Sequence, residues 1–139
     1  MSDTEILSFP QCFVCGSENP MGLHVEFVPD SEQGCRAEYT VRVEDSGWPN
    51  VMHGGLLFTL MDEALAWALC YAGLRGVTAR GDVRFHQPVS PGSRLLVTGR
   101  IVERNRRLIT ARAEIRQRER TPDLVAELNG TMFVSDVEK

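Results

Sequence analysis

The feature that most limits how this chain can fold is the run from residue 54 to 72. Leu57, Leu60, Met61, Ala64, Leu65 and Ala68 recur at spacings of three and four, the period of an α-helix. Within this run only Asp62 and Glu63 are charged. The helix would be about 28 Å long. In a chain of 139 residues, a rod this long and this apolar has to be wrapped on most sides by the remainder of the chain.

That remainder reads as strands. Alternation predicts strands at 23–28 and at 35–43, where Ala37, Tyr39, Val41 and Val43 share one face against Arg36, Glu38, Thr40 and Arg42. Beyond the helix, strands are predicted at 77–87, 94–103, 107–118 and 124–135. They are separated by a Pro88–Ser93 loop, a tight turn at Glu103–Arg106 and the stretch Arg120–Asp123. Connections this short favour an antiparallel meander. The expected fold class is therefore α+β, a curved antiparallel sheet around one long central helix. Residues 1–22, rich in Pro, Gly and Asn, are expected to be an irregular segment packed on a single domain spanning 23–139.

Charge narrows the possible partners. Residues 1–74 hold eleven acids and two bases, whereas residues 75–139 hold thirteen bases and eight acids. All but one of the fifteen bases are Arg, whose planar fork grips phosphate in bidentate fashion. Either these Arg form a solvated sheet surface or some of them meet a phosphorylated ligand. Nucleic acid is not expected as a partner, because the acidic half would repel it and no aromatic-basic interleaving is present. No apolar run approaches the roughly 20 residues of a membrane span, and the acidic start Met1–Glu5 lacks the features of a signal peptide. No membrane association and a cytoplasmic location are the expectation. Cys12 and Cys15 form one C-x-x-C, but no second close pair follows. His24 and Cys35 would complete a metal set only if folding brought them together, so neither metal nor cofactor is expected.

Two features of the helix are hard to explain by folding alone. Gly54 and Gly55 open it, where Ala would be better by up to about 1 kcal/mol at each fully helical position. Glycine at a helix start leaves backbone N–H groups open to an anion or a polarised carbonyl, although a tight strand-to-helix turn would use the same residues. Asp62 stands within the apolar run, with Phe58, Thr59, Leu65 and Ala66 as its neighbours at three and four residues. A buried, unpaired carboxylate is costly, so Asp62 must pair with an Arg from the sheet, reach solvent, or serve chemistry. Glu63 lies one position round and is the weaker candidate.

The segment His53-Gly54-Gly55, with Leu60 and Asp62 after it, resembles the signature of the PaaI-like branch of the hotdog-fold thioesterases, within the 4-hydroxybenzoyl-CoA thioesterase superfamily. Gly76-Val77-Thr78, Phe85-His86-Gln87-Pro88-Val89-Ser90-Pro91-Gly92 and Cys12-Phe13-Val14-Cys15-Gly16 with Asn19-Pro20-Met21-Gly22-Leu23 extend the resemblance over roughly residues 12–135. It implies a hotdog fold, hydrolysis of an acyl-CoA, no cofactor, and a homodimer that can pair into a dimer of dimers. By the same resemblance Asp62 is the catalytic carboxylate, as nucleophile or general base. The Gly54 N–H polarises the thioester carbonyl, His53 orients it, and the Thr78 hydroxyl holds the attacking water. Gly55 and Asn50 are expected beside the substrate, and Arg104, Arg106 and Arg107 are expected to grip the CoA phosphates.

Gly54 and Asp62 are eight residues apart, about 12 Å along one helix. If both act on one carbonyl, the site must be shared between two protomers. A non-catalytic acyl-CoA-binding protein and an acyl-thioester hydratase or dehydratase are the alternative readings.

Overall fold

The computed structural model describes residues 8–31 and 33–135. One helix, α1 (Gly54–Tyr71), lies against a six-stranded antiparallel sheet. The strands are β1 (Val28–Pro29), β2 (Gly34–Thr40), β3 (Gly76–Phe85), β4 (Arg94–Asn105), β5 (Leu108–Gln117) and β6 (Leu124–Val134). Their order across the sheet is β1-β2-β4-β5-β6-β3, so the strand that follows the helix occupies one edge. Every residue of the helical stripe read from the sequence is buried, and Trp67 and Leu69 join it.

The sheet makes room for the helix with small side chains. Ala111, Ala113 and Ala126 are buried on its inner face. A Cβ added at Gly99 would come 2.5 Å from the carbonyl oxygen of Ala64, and one at Gly130 would come 2.5 Å from Leu65 Cδ1. At Gly99 the obstacle is helix backbone, which cannot rotate away. This glycine therefore fixes how closely α1 sits on β4. Around these contacts Leu60, Met61 and Leu65 meet Val97, Ile109, Ile115 and Leu128, all fully buried.

Two predicted strands end differently from the expectation. In 23–28 only Val28 belongs to a strand. Leu23, Val25 and Phe27 do point into the core by turns, but Leu23 and Val25 donate their N–H groups to Phe13 and Val14 of the preceding segment. His24 takes a left-handed φ of 57°, which breaks the extended path. The alternation thus records burial without a ladder. The strand predicted at 35–43 stops at Thr40, and Val43–Asp45 forms a single 3₁₀ turn that leaves Val43 exposed. Residues 8–22 contain turns but neither helix nor strand. They bury Val14 and set Phe9 edge-on to Trp67.

Replacing Gly99 with Ala is expected to cost about 1–3 kcal/mol of stability, as overpacking against an unyielding neighbour does. Urea unfolding should show a lower midpoint with the same slope; an unchanged midpoint would mean that the helix can stand further off the sheet.

Candidate active site

The start of α1 is held by a buried polar cluster that no sequence motif marks. Asp45 is fully buried and accepts hydrogen bonds from Tyr39 Oη (2.5 Å), Arg42 N (2.8 Å) and Arg42 Nη2 (2.7 Å). Burial alone would push its carboxyl up, but the bonds from Arg42 and Tyr39 outweigh burial and hold it below its ordinary value. Burial and the same bond push the Tyr39 phenol up. The backbone oxygen of Asp45 accepts from His53 N at 2.8 Å, and Met52 N donates to Val89 O at 2.8 Å. The last residues before the helix are therefore tied to the core from both sides.

His53 is the N-cap residue of α1, and its Nδ1 accepts the Gly55 N–H at 2.8 Å. An accepting Nδ1 places the ring proton on Nε2. A Cβ at Gly55 would stand 3.0 Å from Nδ1, so glycine is what lets the ring close on this amide. The Gly54 N–H meets no acceptor among the described residues, which leaves one donor of the helix terminus aimed outward. The Phe85 ring lies beside it, 3.6 Å from where a Gly54 Cβ would be. Asn50 occupies the turn ahead of the helix with φ at 66°, a conformation Asn tolerates better than most residues.

Asp62 is half-buried and pairs with no Arg among the described residues. Its Oδ1 accepts the Thr78 hydroxyl at 2.6 Å. Thr78 lies on β3 just before a bulge that separates it from Arg80 in the ladder with β6; such bulges re-aim side chains. Asp62 and Thr78 are thus together, while Gly54, Gly55 and His53 form a second group two turns away on the same helix. Glu63 points elsewhere, accepting from Trp67 Nε1 (3.0 Å) and Cys12 Sγ (3.3 Å).

Arg106 and Arg107 form the two-residue turn between β4 and β5, with Arg106 at φ 59°. Arg104 Nε reaches the Arg106 carbonyl at 3.4 Å, and Arg107 reaches that of Val134. In the sheet Ile109 is level with Met132 and Met132 with Thr78, so two strand spacings, about 10 Å, separate the base of this hairpin from Thr78. Several other Arg of the second half are held in ion pairs on the outer face. Arg94 meets Glu119, Arg116 meets Glu114 and Asp123, Arg118 meets Glu38, and Arg112 bridges Glu114 and Glu127. His86 likewise pairs with Glu127 at 2.8 Å.

The sequence profile of the thioesterase superfamily matches residues 49–122, more than half of the chain and the part that contains α1, β3, β4 and β5. This chain belongs to the thioesterase superfamily. The solved structure of another thioesterase superfamily protein aligns with a TM-score of 0.81 at 28% identity; it covers 90% of this chain, which spans only 63% of that protein. A phenylacetic acid degradation protein PaaI from Thermus thermophilus aligns at 0.71 with 26% identity over 80% of this chain and 93% of its own. A hypothetical thioesterase from Streptococcus pneumoniae, solved with coenzyme A, aligns at 0.74 with 23% identity over 80% and 85%. Variants of that protein with one aspartate or one threonine changed to alanine are also solved, and the two positions lie sixteen residues apart. No curated protein matches. The fold is the hotdog fold of these structures, and the PaaI-like resemblance read from the sequence holds. Among the described residues, no helix is long and apolar enough to cross a membrane.

Asp45→Asn is expected to lower the unfolding free energy by about 2–3 kcal/mol at neutral pH, since it removes the charge that faces Arg42 and puts an NH2 group where one buried oxygen accepted hydrogen bonds. A carboxyl held low in the folded state stabilises fully above its unfolded value of about 3.9 and loses that contribution as pH falls through the lower folded value. The gap between the two proteins in urea unfolding should therefore close only under strongly acidic conditions.

Proposed function

We propose that this protein hydrolyses acyl-CoA thioesters at a site that two protomers share. The observation that carries the proposal is the Thr78–Asp62 hydrogen bond at 2.6 Å. It spends a hydroxyl on orienting a half-buried carboxylate that no cation neutralises among the described residues. An oriented, unneutralised carboxylate is suited to act as base or nucleophile. The sixteen-residue separation of Asp62 and Thr78 equals that of the aspartate and threonine replaced in the Streptococcus pneumoniae protein, which supports reading them as a pair.

In the general-base route Asp62 takes a proton from water as the water oxygen bonds to the thioester carbon. The carbonyl oxygen then carries the negative charge, which the free Gly54 N–H and the positive end of α1 stabilise. Collapse breaks the carbon–sulfur bond, and the departing CoA sulfur receives the proton from Asp62. In the nucleophilic route an Asp62 oxygen bonds to the carbon first and the carbon–sulfur bond breaks, CoA leaving as the thiolate; water then cleaves the resulting anhydride, restoring the Asp62 carboxylate and giving its proton to the CoA sulfur. The His53 Nε2–H is free to meet the same carbonyl. Gly55 and Asn50 shape the approach, and Arg104, Arg106 and Arg107 supply cationic groups for the CoA phosphates.

Strand β3 supports sharing of the site. It is an edge strand, and none of its ten residues is buried. Two copies can pair there antiparallel about a two-fold axis. Opposed residues must then lie on the same sheet face, so a residue, and not a gap between residues, sits on the axis. An axis through Asp82 would oppose Asp to Asp and Arg80 to the partner's Arg84. An axis through Gly81 opposes Arg80 to the partner's Asp82 twice, and because the bulge skips Ala79 it opposes Thr78 to the partner's Val83 and Gly76 to the partner's Phe85. Phe85 lies against Gly54, and Thr78 holds Asp62. This register therefore carries Asp62 of one protomer toward the bare amide of the other.

Asp62→Ala is expected to cut kcat on a good acyl-CoA by at least about 100-fold while sedimentation still finds a dimer; near-normal turnover would rule out the role. Asp82→Arg should weaken the dimer and Arg80→Asp with Asp82→Arg should restore it. If the double variant stays as weak as the single one, the Gly81 register is wrong.

A further inference from the structure

We infer that Cys12, Cys15 and Glu63 form a site for a zinc-class divalent cation, which would tie the N-terminal segment to the central helix. This reading is independent of the proposed hydrolysis. The two sulfurs and a Glu63 carboxylate oxygen all lie within 4.8 Å of one another. Ligand atoms 2.0–2.3 Å from a common tetrahedral centre stand about 3.5–3.8 Å apart. The Cys12 Sγ to Glu63 Oε2 distance of 3.3 Å is already at that spacing, and since no pair exceeds 4.8 Å, a closure of about 1 Å or less would complete the set.

The local geometry around the sulfurs is already arranged for an ion. The Cys15 N–H points at Cys12 Sγ (3.4 Å) and the Gly16 N–H at the Cys12 carbonyl (2.9 Å), a tight turn that presents both sulfurs to one side. A Cβ at Gly16 would fall 2.3 Å from the Pro10 oxygen and 2.6 Å from Cys12 N, so only glycine permits this turn. Glu63 comes from a different element, 51 residues away, and its Oε2 is fixed by Trp67 Nε1 at 3.0 Å. Outer hydrogen bonds of this kind orient metal ligands. No Lys or Arg among the described residues forms an ion pair with Glu63, so the carboxylate sits beside two thiols without a cation.

Two thiolates and one carboxylate suit zinc better than magnesium or calcium, which prefer all-oxygen sets. Binding would release the two thiol protons to solvent and leave the site with one net negative charge. Three protein ligands leave one tetrahedral position. A cleft lined by Cys15, His24, Glu26 and Trp67 opens beside it and admits a water molecule. Cys35, which the sequence suggested as a ligand, lies elsewhere and donates to the Ala64 carbonyl. His24 is not within the set.

The test uses the full chain, reduced, stripped by a chelator and titrated with cobalt(II). One cobalt per chain, with a thiolate-to-cobalt absorption band that zinc abolishes, is the expected result. Cys12→Ser with Cys15→Ser should remove the band, and Glu63→Gln should weaken zinc binding by at least about tenfold. Zinc should also raise the melting temperature of the unaltered chain more than that of Glu63→Gln. Absence of the band in a reduced chain with an unchanged circular dichroism spectrum would overturn the site. So would full zinc affinity in Glu63→Gln, because the carboxylate is what distinguishes this site from a bare pair of cysteines.

Discussion

The contact on which the arrangement depends is the close approach of α1 to the sheet, set at Gly99 by the backbone of Ala64. Once Leu60, Met61, Ala64, Leu65 and Ala68 are committed to that interface, the rotation of the helix is fixed. Successive residues are separated by about 100°. Asp62 and Glu63 therefore leave the buried stripe on opposite flanks. One meets the edge strand at Thr78 and the other meets the N-terminal segment at Cys12. Two neighbouring acids thus serve two separate places, and the packing between them keeps the places apart.

The start of the helix depends on a second, polar contact. The Asp45 carboxylate gathers Tyr39 and Arg42, and its backbone oxygen holds His53. His53 in turn closes over Gly55 and leaves Gly54 open. A carboxylate buried beneath the sheet's end thus determines which amide of the helix faces outward. Asp45 touches none of the proposed reacting groups with its side chain, yet the chain that carries them is anchored through it.

Much of this was legible in the sequence because periodicity reports burial directly. The helical stripe gave α1 to within a residue at its end, and the runs between the turn segments located β3, β4, β5 and β6. Periodicity misled at 23–28, where Leu23, Val25 and Phe27 are buried in turn but their backbone bonds go to Phe13 and Val14. Alternation cannot distinguish a ladder from a strap. Asp62 stood out as a charge on an apolar face, whereas Thr78 came only with the family resemblance, since nothing local marks a hydroxyl sixteen residues on. The Asp45 cluster and the meeting of Glu63 with Cys12 and Cys15 left no local trace. Both join residues whose neighbours in sequence look ordinary.

The exposed edge at β3 has a consequence for the newly made chain. Along its ten residues the N–H and C=O groups that point away from β6 have no strand to pair with among the described residues, and none of the side chains is buried. An open edge of that length is a template for any extended segment that meets it. If two copies cap each other there as proposed, how long a newly made chain stays uncapped depends on how many copies surround it, so synthesis rate and dilution, as much as sequence, decide between orderly pairing and misassociation.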